Sequence, residues 1–203
     1  MAERIKQRAG GVYCRYIKRV LDVILSAILI FFLALPMLVI AISVAAESRG
    51  GVIFRQTRLG RGGSEFVCYK FRTMYSYAPK NLPAAKLKNS ALYVTRVGRF
   101  LRKSSLDELP QLFNVLRGDM SLVGPRPLIC EEENMHEGRM KNGVYSLRPG
   151  ITGLAQINGR NALCDEEKLK QDGMYLERLG LRLDARIIIS TLKKVLTHEG
   201  VEH

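Results

Sequence analysis

Apolar positions along the chain are gathered unevenly. From Val23 to Ala46 the sequence VILSAILIFFLALPMLVIAISVAA carries no charge. At about 1.5 Å per helical residue such a run can cross a hydrocarbon layer of ~30 Å. No other segment approaches it. It is too long for the apolar core of a signal peptide and lacks a well-placed small-residue cleavage site. A helix is predicted to start near Tyr13 and continue into this run, past Arg15, Lys18 and Arg19, whose stems can reach headgroups. Asp22 stands at helical spacing for pairing with Lys18 or Arg19, a structural role.

Pro36 lies near the middle of the run. It removes one donor and frees the carbonyl of Phe32, which favours a kink or break. Basic residues flank both ends: Arg4, Lys6, Arg8, Arg15, Lys18 and Arg19 before, and Arg49, Arg55, Arg58 and Arg61 after. The positive-inside rule therefore assigns no orientation. Local pattern alone leaves a kinked full span and a re-entrant segment evenly open.

After Gly50-Gly51 two strands are predicted, Val52–Thr57 and Glu65–Thr73, around the turn Gly60–Gly63. In the second, Val67, Tyr69 and Phe71 share one face while Lys70 and Arg72 share the other. Two cations on one strand face suit an anion, or simply meet water. Residues 75–90, with Pro79 and Pro83, read as a loop. Leu92–Lys103 is a basic amphipathic helix suited to an anionic membrane surface. Leu109, Leu112, Phe113 and Leu116 form a helical stripe closed by Gly118. Val123–Pro127 sets Arg126 between two prolines. A second glycine-rich, arginine-bearing stretch runs from Arg148 to Arg160. Asp165–Leu179, closed by Gly180, and Leu183–Thr197 are the last helices. The expected fold class is α+β and mostly helical: a membrane helix broken at Pro36, interfacial helices, a small β-hairpin and a compact catalytic domain. The expected division is an arm and membrane helix over 1–46 and a catalytic domain over 47–203.

Charge narrows the partners. The formal net charge of +13 over 203 residues points to anions: lipid headgroups, phosphorylated substrates or nucleic acid. Cys14, Cys68, Cys130 and Cys164 are dispersed, and neither they nor His136, His198 and His203 have metal-site spacing. There is no P-loop glycine-lysine motif, no Asp-x-Asp pair and no Gly-x-Ser-x-Gly elbow.

The candidate chemistry lies in Ser104–Asn114, SSLDELPQLFN. Ser105 and Glu108 have capping-box spacing. Pro110 weakens that reading, because it stands where the chain should donate to the carbonyl of Leu106. A helix start nearer Asp107 puts the proline in the first turn and both carboxylates at the positive mouth of the helix. Neighbouring side chains on a helix diverge by about 100°, so the pair divides its partners. One can be a nucleophile while the other orients it or holds a metal. Lys70, Arg72, Arg102, Arg126, Arg148 and Arg160 are candidate phosphate ligands, since arginine binds phosphate bidentately. Aspartate is an established nucleophile at phosphorus, provided the substrate's charge is neutralised.

Six stretches carry a resemblance: Lys18-Arg-Val-Leu-Asp22 before the proline-bearing helix, Tyr69–Met74, Ser105–Leu116, Gly118–Ser121, Val123–Pro127 and Arg148–Arg160. In this order, within about residues 13–197, they resemble the bacterial sugar transferases, the monotopic phosphoglycosyl transferases, and their small form in particular. The resemblance implies transfer of a sugar 1-phosphate from a UDP-sugar to a polyprenol (undecaprenyl) phosphate, the first membrane step of glycoconjugate assembly. It implies Asp107 as covalent nucleophile, Glu108 as metal ligand or proton handler, and Mg²⁺ held at the Asp107–Glu108 pair. It assigns Lys70, Arg102, Arg126 and Arg148 to phosphates. It also implies a re-entrant helix in the inner leaflet of a bacterial cytoplasmic membrane, with both ends cytoplasmic. A nucleic-acid partner is not expected, and a homo-oligomer stays open. Many members have Ser-Pro at the helix break, where this chain has Leu35-Pro36. A membrane-tethered basic binding module is the competing reading, and it leaves the carboxylate pair without a task.

Overall fold

A computed structural model describes residues 11–78, 90–159 and 162–197. A π-helical turn, Tyr13–Ile17, leads directly into helix α1, Lys18–Glu47. The antiparallel hairpin β1 (Ile53–Leu59) and β2 (Glu65–Phe71) follows, with Ile53 opposite Phe71 and Leu59 opposite Glu65. Then come α2 (Arg96–Ser104), a 3₁₀ turn over Leu106–Glu108, α3 (Gln111–Arg117), β3 (Ser121–Val123) and α4 (Glu133–Lys141). The chain closes with β4 (Gly150–Thr152), α5 (Leu154–Ile157), α6 (Asp165–Glu177) and α7 (Leu181–Thr197). Strands β3 and β4 pair in parallel. The fold is mostly helical with small sheets, as the periodicities predict.

Helix α1 is long and apolar enough to cross a membrane. Its middle has no protein cover: Phe31, Phe32 and Leu35 are 70–76% exposed. Pro36 sits inside the helix, which continues through it to Glu47, so the predicted break does not interrupt the element. A proline forfeits one ladder bond, and the bonds on either side can carry the helix across it.

Both ends of α1 are fastened to the rest of the molecule. At its start, Lys18 Nζ pairs with Asp184 of α7 at 2.6 Å, and Tyr13 donates to the same carboxylate. Arg19 donates to the carbonyls of Val115 and Leu116, closing the C-terminus of α3. Asp22 accepts from the backbone N–H of Leu122 at 3.0 Å. The expected pairing of Asp22 with Lys18 or Arg19 is thus replaced by four long-range bonds. Buried partners on other elements outcompete an i,i+4 pair, which is worth only about 0.3–0.5 kcal/mol. At the other end, the Glu47 carboxylate accepts from the first two backbone N–H groups of α2, those of Arg96 and Val97. Beside it, Val44 packs with Phe71 and Leu101 in one buried cluster.

Two further clusters complete the interior. Cys68, Val115 and Met120 join β2 to α3, while Val123, Leu147, Tyr175, Leu176 and Ile187 join β3 to α6 and α7. The buried side chain of Asn114 seals the first junction: its Oδ1 accepts from Tyr69 N–H at 3.0 Å and its Nδ2 donates to Val67 O at 2.7 Å.

Candidate active site

Ser105 ends α2 in the left-handed region at φ 57° and makes no side-chain capping bond, so the capping box does not form. The chain instead winds one 3₁₀ turn, Leu106–Glu108, before α3 begins, with Pro110 at its N-cap position. The helix start expected near Asp107 is therefore a separate tight turn. A proline at the cap needs no N–H, as the sequence argument requires. In a 3₁₀ turn neighbouring side chains diverge by about 120°, and the carboxylates part accordingly.

Glu108 is 8% exposed and turns inward. Its Oε1 accepts from Lys70 Nζ at 2.7 Å and lies 3.4 Å from Arg126 Nη1. Asp107 is half-buried and takes no hydrogen bond from any described residue. Burial first, and the Glu108 charge second, push its carboxyl up from 3.8 to about 6, against the pull of Lys70, Arg102 and Arg126. Arg102 lies within the field of Asp107, and burial lowers the pKa of its guanidinium. Arg126 is raised, chiefly by Glu108. A carboxylate that takes no hydrogen bond among the described residues, within the field of three cations, has both the lone pair and the electrostatic setting for attack on an anionic electrophile.

Two glycines bring these cations within reach. A Cβ on Gly98 would lie 2.1 Å from the carbonyl oxygen of Thr73, so only glycine lets α2 seat on that segment. Seating brings Arg102 Nε to 2.9 Å from Thr73 Oγ1. A Cβ on Gly150 would lie 2.1 Å from Gly124 N, so β4 approaches the Pro-Arg-Pro loop only as glycine. Arg139 then holds that loop from below: it donates to the Arg126 carbonyl at 2.7 Å and pairs with buried Asp172. The resulting pocket includes Arg58, Lys70, Glu108, Gln111 and Arg126 in its wall.

The site thus gathers Asp107, Glu108, Lys70, Arg102 and Arg126. Arg72, expected on the Lys70 face, points elsewhere: it follows β2 and donates to the carbonyls of Ser48 and Arg49, each at 2.7 Å, where α1 ends. The carbonyls at a helix C-terminus attract a guanidinium, and Arg72 closes α1 as Arg19 closes α3. Arg148 donates to Gly118 O at 2.8 Å at the opposite end of α3. Arg160 lies outside the described residues. Sequence reasoning missed Arg58 and Thr73 as parts of the site. Arg58 donates to Pro127 O at 2.8 Å and contributes a third buried-side cation. Its position on β1, two residues from the turn, gave no sign of this.

Among the described residues no three acidic, histidine or cysteine side chains converge on a metal site. Mg²⁺ does not require three, since it is usually held by one or two carboxylates with substrate phosphates and water supplying the rest. Asp107 and Glu108 are hard oxygen donors of that kind, so the residues present fit the ion.

The family model for bacterial sugar transferases matches residues 13–198. A UDP-glucose:undecaprenyl-phosphate glucose-1-phosphate transferase of Caulobacter vibrioides is 41% identical over 90% of this chain and 71% of its own length. A UDP-galactose-lipid carrier transferase of Erwinia amylovora is 40% identical over 98% of this chain. A UDP-N-acetylgalactosamine-undecaprenyl-phosphate N-acetylgalactosaminephosphotransferase of Aeromonas hydrophila is 38% identical over 91%. The chain spans less than half the length of the last two, 44% and 45%. With the match running from the turn before α1 to the end of α7, this chain belongs to the bacterial sugar transferase family.

Proposed function

We propose that the protein transfers a sugar 1-phosphate from a UDP-sugar to a polyprenol phosphate, by way of a covalent phosphosugar on Asp107. The observation that carries this is the division of the carboxylate pair. Glu108 is bound to Lys70 and Arg126, while Asp107, in the field of the same cations, takes no hydrogen bond from any described residue. A purely electrostatic platform has no use for that asymmetry.

In the first step an Asp107 oxygen attacks the β-phosphorus of the UDP-sugar. The bond from that phosphorus to the oxygen bridging the two phosphates breaks, and UMP leaves with the electron pair. In the second step an oxygen of the polyprenol phosphate attacks the same phosphorus. The acyl phosphate bond breaks, Asp107 returns as carboxylate, and polyprenol diphosphate sugar is formed. Arg126 and Arg102 offset the charge gathered on the phosphates. Lys70 holds Glu108 in place and favours the ionised form of Asp107. Mg²⁺, held by Asp107 and Glu108, would supply further neutralisation of the diphosphate. Three relatives carry the names of three different sugars, so the sugar is left open.

We also place the catalytic domain, 47–203, on the cytoplasmic face of the bacterial inner membrane, with α1 re-entrant. The support is that one body grips both ends of α1, through Lys18 and Arg19 at one end and Glu47 and Arg72 at the other. A complete span puts its ends on opposite sides of a layer about 30 Å thick, where one small domain cannot hold both. Cysteine labelling at positions 17 and 50 tests this: both sites react from the cytoplasmic side, and labelling from opposite sides refutes it.

For the reaction, purified protein is incubated with a UDP-sugar labelled in the sugar and the β-phosphate, without acceptor. Label is retained on protein with one equivalent of UMP released, and polyprenol phosphate then discharges it. Asp107→Asn retains none. Normal turnover in that variant refutes the nucleophile, and steady UMP release without acceptor makes the protein a hydrolase.

A further inference from the structure

A second cationic pocket lies at the far end of α3 from the carboxylate pair. Lys18, Arg19, Arg61 and Arg148 line it against one carboxylate, Asp22. It shares no lining residue with the Glu108 pocket. The start of the membrane helix forms one wall.

Most of its polar groups are already committed. Lys18 is paired with Asp184, and Arg19 is spent on two carbonyls. Asp22 accepts from Leu122 N–H. Two guanidinium groups remain. Among the described residues Arg148 bonds only through Nε, to Gly118 O, and the Arg61 side chain has no hydrogen-bond partner. Burial, then the charges of Arg61 and Arg19, lower the pKa of Arg148. Like charges gathered around a cleft focus its field and attract an anion. Paired guanidinium forks match the oxygens of a phosphate. Basic pockets beside membrane helices bind phosphorylated headgroups in the same way.

We propose that this pocket is a second phosphate-binding site, separate from the reacting pair, in which Arg61 and Arg148 hold one phosphate group beside the start of α1. The group comes from a lipid headgroup or from free phosphate.

The test uses the full chain and the variants Arg61→Ala and Arg61→Glu, with Arg55→Glu as control. Arg55 is exposed on β1 and lines neither pocket, so it repeats the charge change elsewhere. One arm titrates inorganic phosphate into protein in zwitterionic detergent, followed by ³¹P line width. The other counts retained lipid by native mass spectrometry after nanodiscs of phosphatidylcholine with or without phosphatidylglycerol. Losing one charged contact weakens binding about tenfold. Arg61→Ala shows that loss, Arg61→Glu a larger one and Arg55→Glu none, with UMP release within twofold in all. Loss in the phosphate arm assigns free phosphate, and loss only in the phosphatidylglycerol arm assigns the headgroup. Equal effects of Arg55→Glu and Arg61→Glu, or no effect in either arm, overturn the proposal. A parallel tenfold fall in UMP release would make Arg61 part of the carboxylate site and overturn it equally.

Discussion

Asp107→Asn separates stability from chemistry. The Asp107 carboxyl is carried from 3.8 to about 6, first by burial and then by the Glu108 charge. A raised folded value means that the fold favours the neutral acid. The contribution is therefore fully present below about pH 4 and lost as pH rises to about 6, beyond which it stays lost. At about 1.4 kcal/mol for each pKa unit, the ionised group destabilises the fold by about 3 kcal/mol at pH 8. At pH 5, where the folded group is mostly protonated and the unfolded one is not, the figure is about half that. Asparagine has the shape of the neutral acid and never ionises. The variant is thus more stable than the wild type by about 3 kcal/mol at pH 8, by about half that at pH 5, and equal to it near pH 3.5. Part of the change belongs to the pair, because Glu108 also relaxes when its neighbour loses charge. Denaturant unfolding in detergent across pH 4–8 measures the difference. Retained phosphosugar, measured on the same samples, falls to background. A stability gap that does not widen with pH would refute the reasoning, because neither burial nor the Glu108 charge would then act on Asp107.

Lys70 lowers the pKa of Asp107, so Lys70→Met moves the acid limb of the rate of UMP release, centred near pH 6 in the wild type, to higher pH. An unmoved limb means that another group titrates. Gly98→Ala puts a Cβ 2.1 Å from the Thr73 carbonyl oxygen. It lowers stability by about 3 kcal/mol, at the upper end of overpacking, and a chemical denaturation midpoint unchanged by the variant would refute the close approach. Asp184→Ala strands Lys18 and the Tyr13 hydroxyl and leaves Tyr175 with its bond to the Val123 carbonyl. The loss is about 3–5 kcal/mol, read by the same unfolding assay, with Lys18→Met/Asp184→Leu recovering much of it.

The periodic parts of the chain were legible. The strand alternation from Ile53 to Phe71, the helical stripe closed by Gly118 at φ 95°, and the last two helices all stand near their expected bounds. The short strands β3 and β4 and helix α4 were not anticipated. Three residues cannot show a period, and β3 and β4 exist because each supplies the other's hydrogen bonds across a long separation. The site was half legible. Asp107, Glu108, Lys70, Arg102 and Arg126 converge, while Arg72 and Arg148 do not. An arginine beside a glycine or proline reads the same whether it meets a phosphate or the carbonyls at a helix end. Tertiary structure alone assigns Arg72 to α1 and Arg148 to Gly118. The Pro36 break illustrates the same limit: proline removes a bond, but the surroundings decide whether the helix ends there.

The tight turn before α3 explains why two adjacent carboxylates can hold different posts. In a regular helix mouth both side chains would compete for the orphan N–H groups, and each accepted bond would lower nucleophilicity. The 3₁₀ turn points Glu108 at Lys70 and Arg126, where it is satisfied, and leaves Asp107 half-buried within the field of Lys70, Arg102 and Arg126. Glu108 thereby fixes two of the cations that Asp107 needs, while its own charge helps to raise the Asp107 pKa. The opposition is functional. A carboxylate near pH 6 is ionised at neutral pH yet more basic than an ordinary aspartate, so it attacks phosphorus more readily. A glutamate at 107 would add a methylene to a side chain aimed by a tight turn and misplace the attacking oxygen by about 1 Å, enough to cost about a hundredfold in rate. At 108 the longer chain is what spans the gap from the turn to Lys70 on β2.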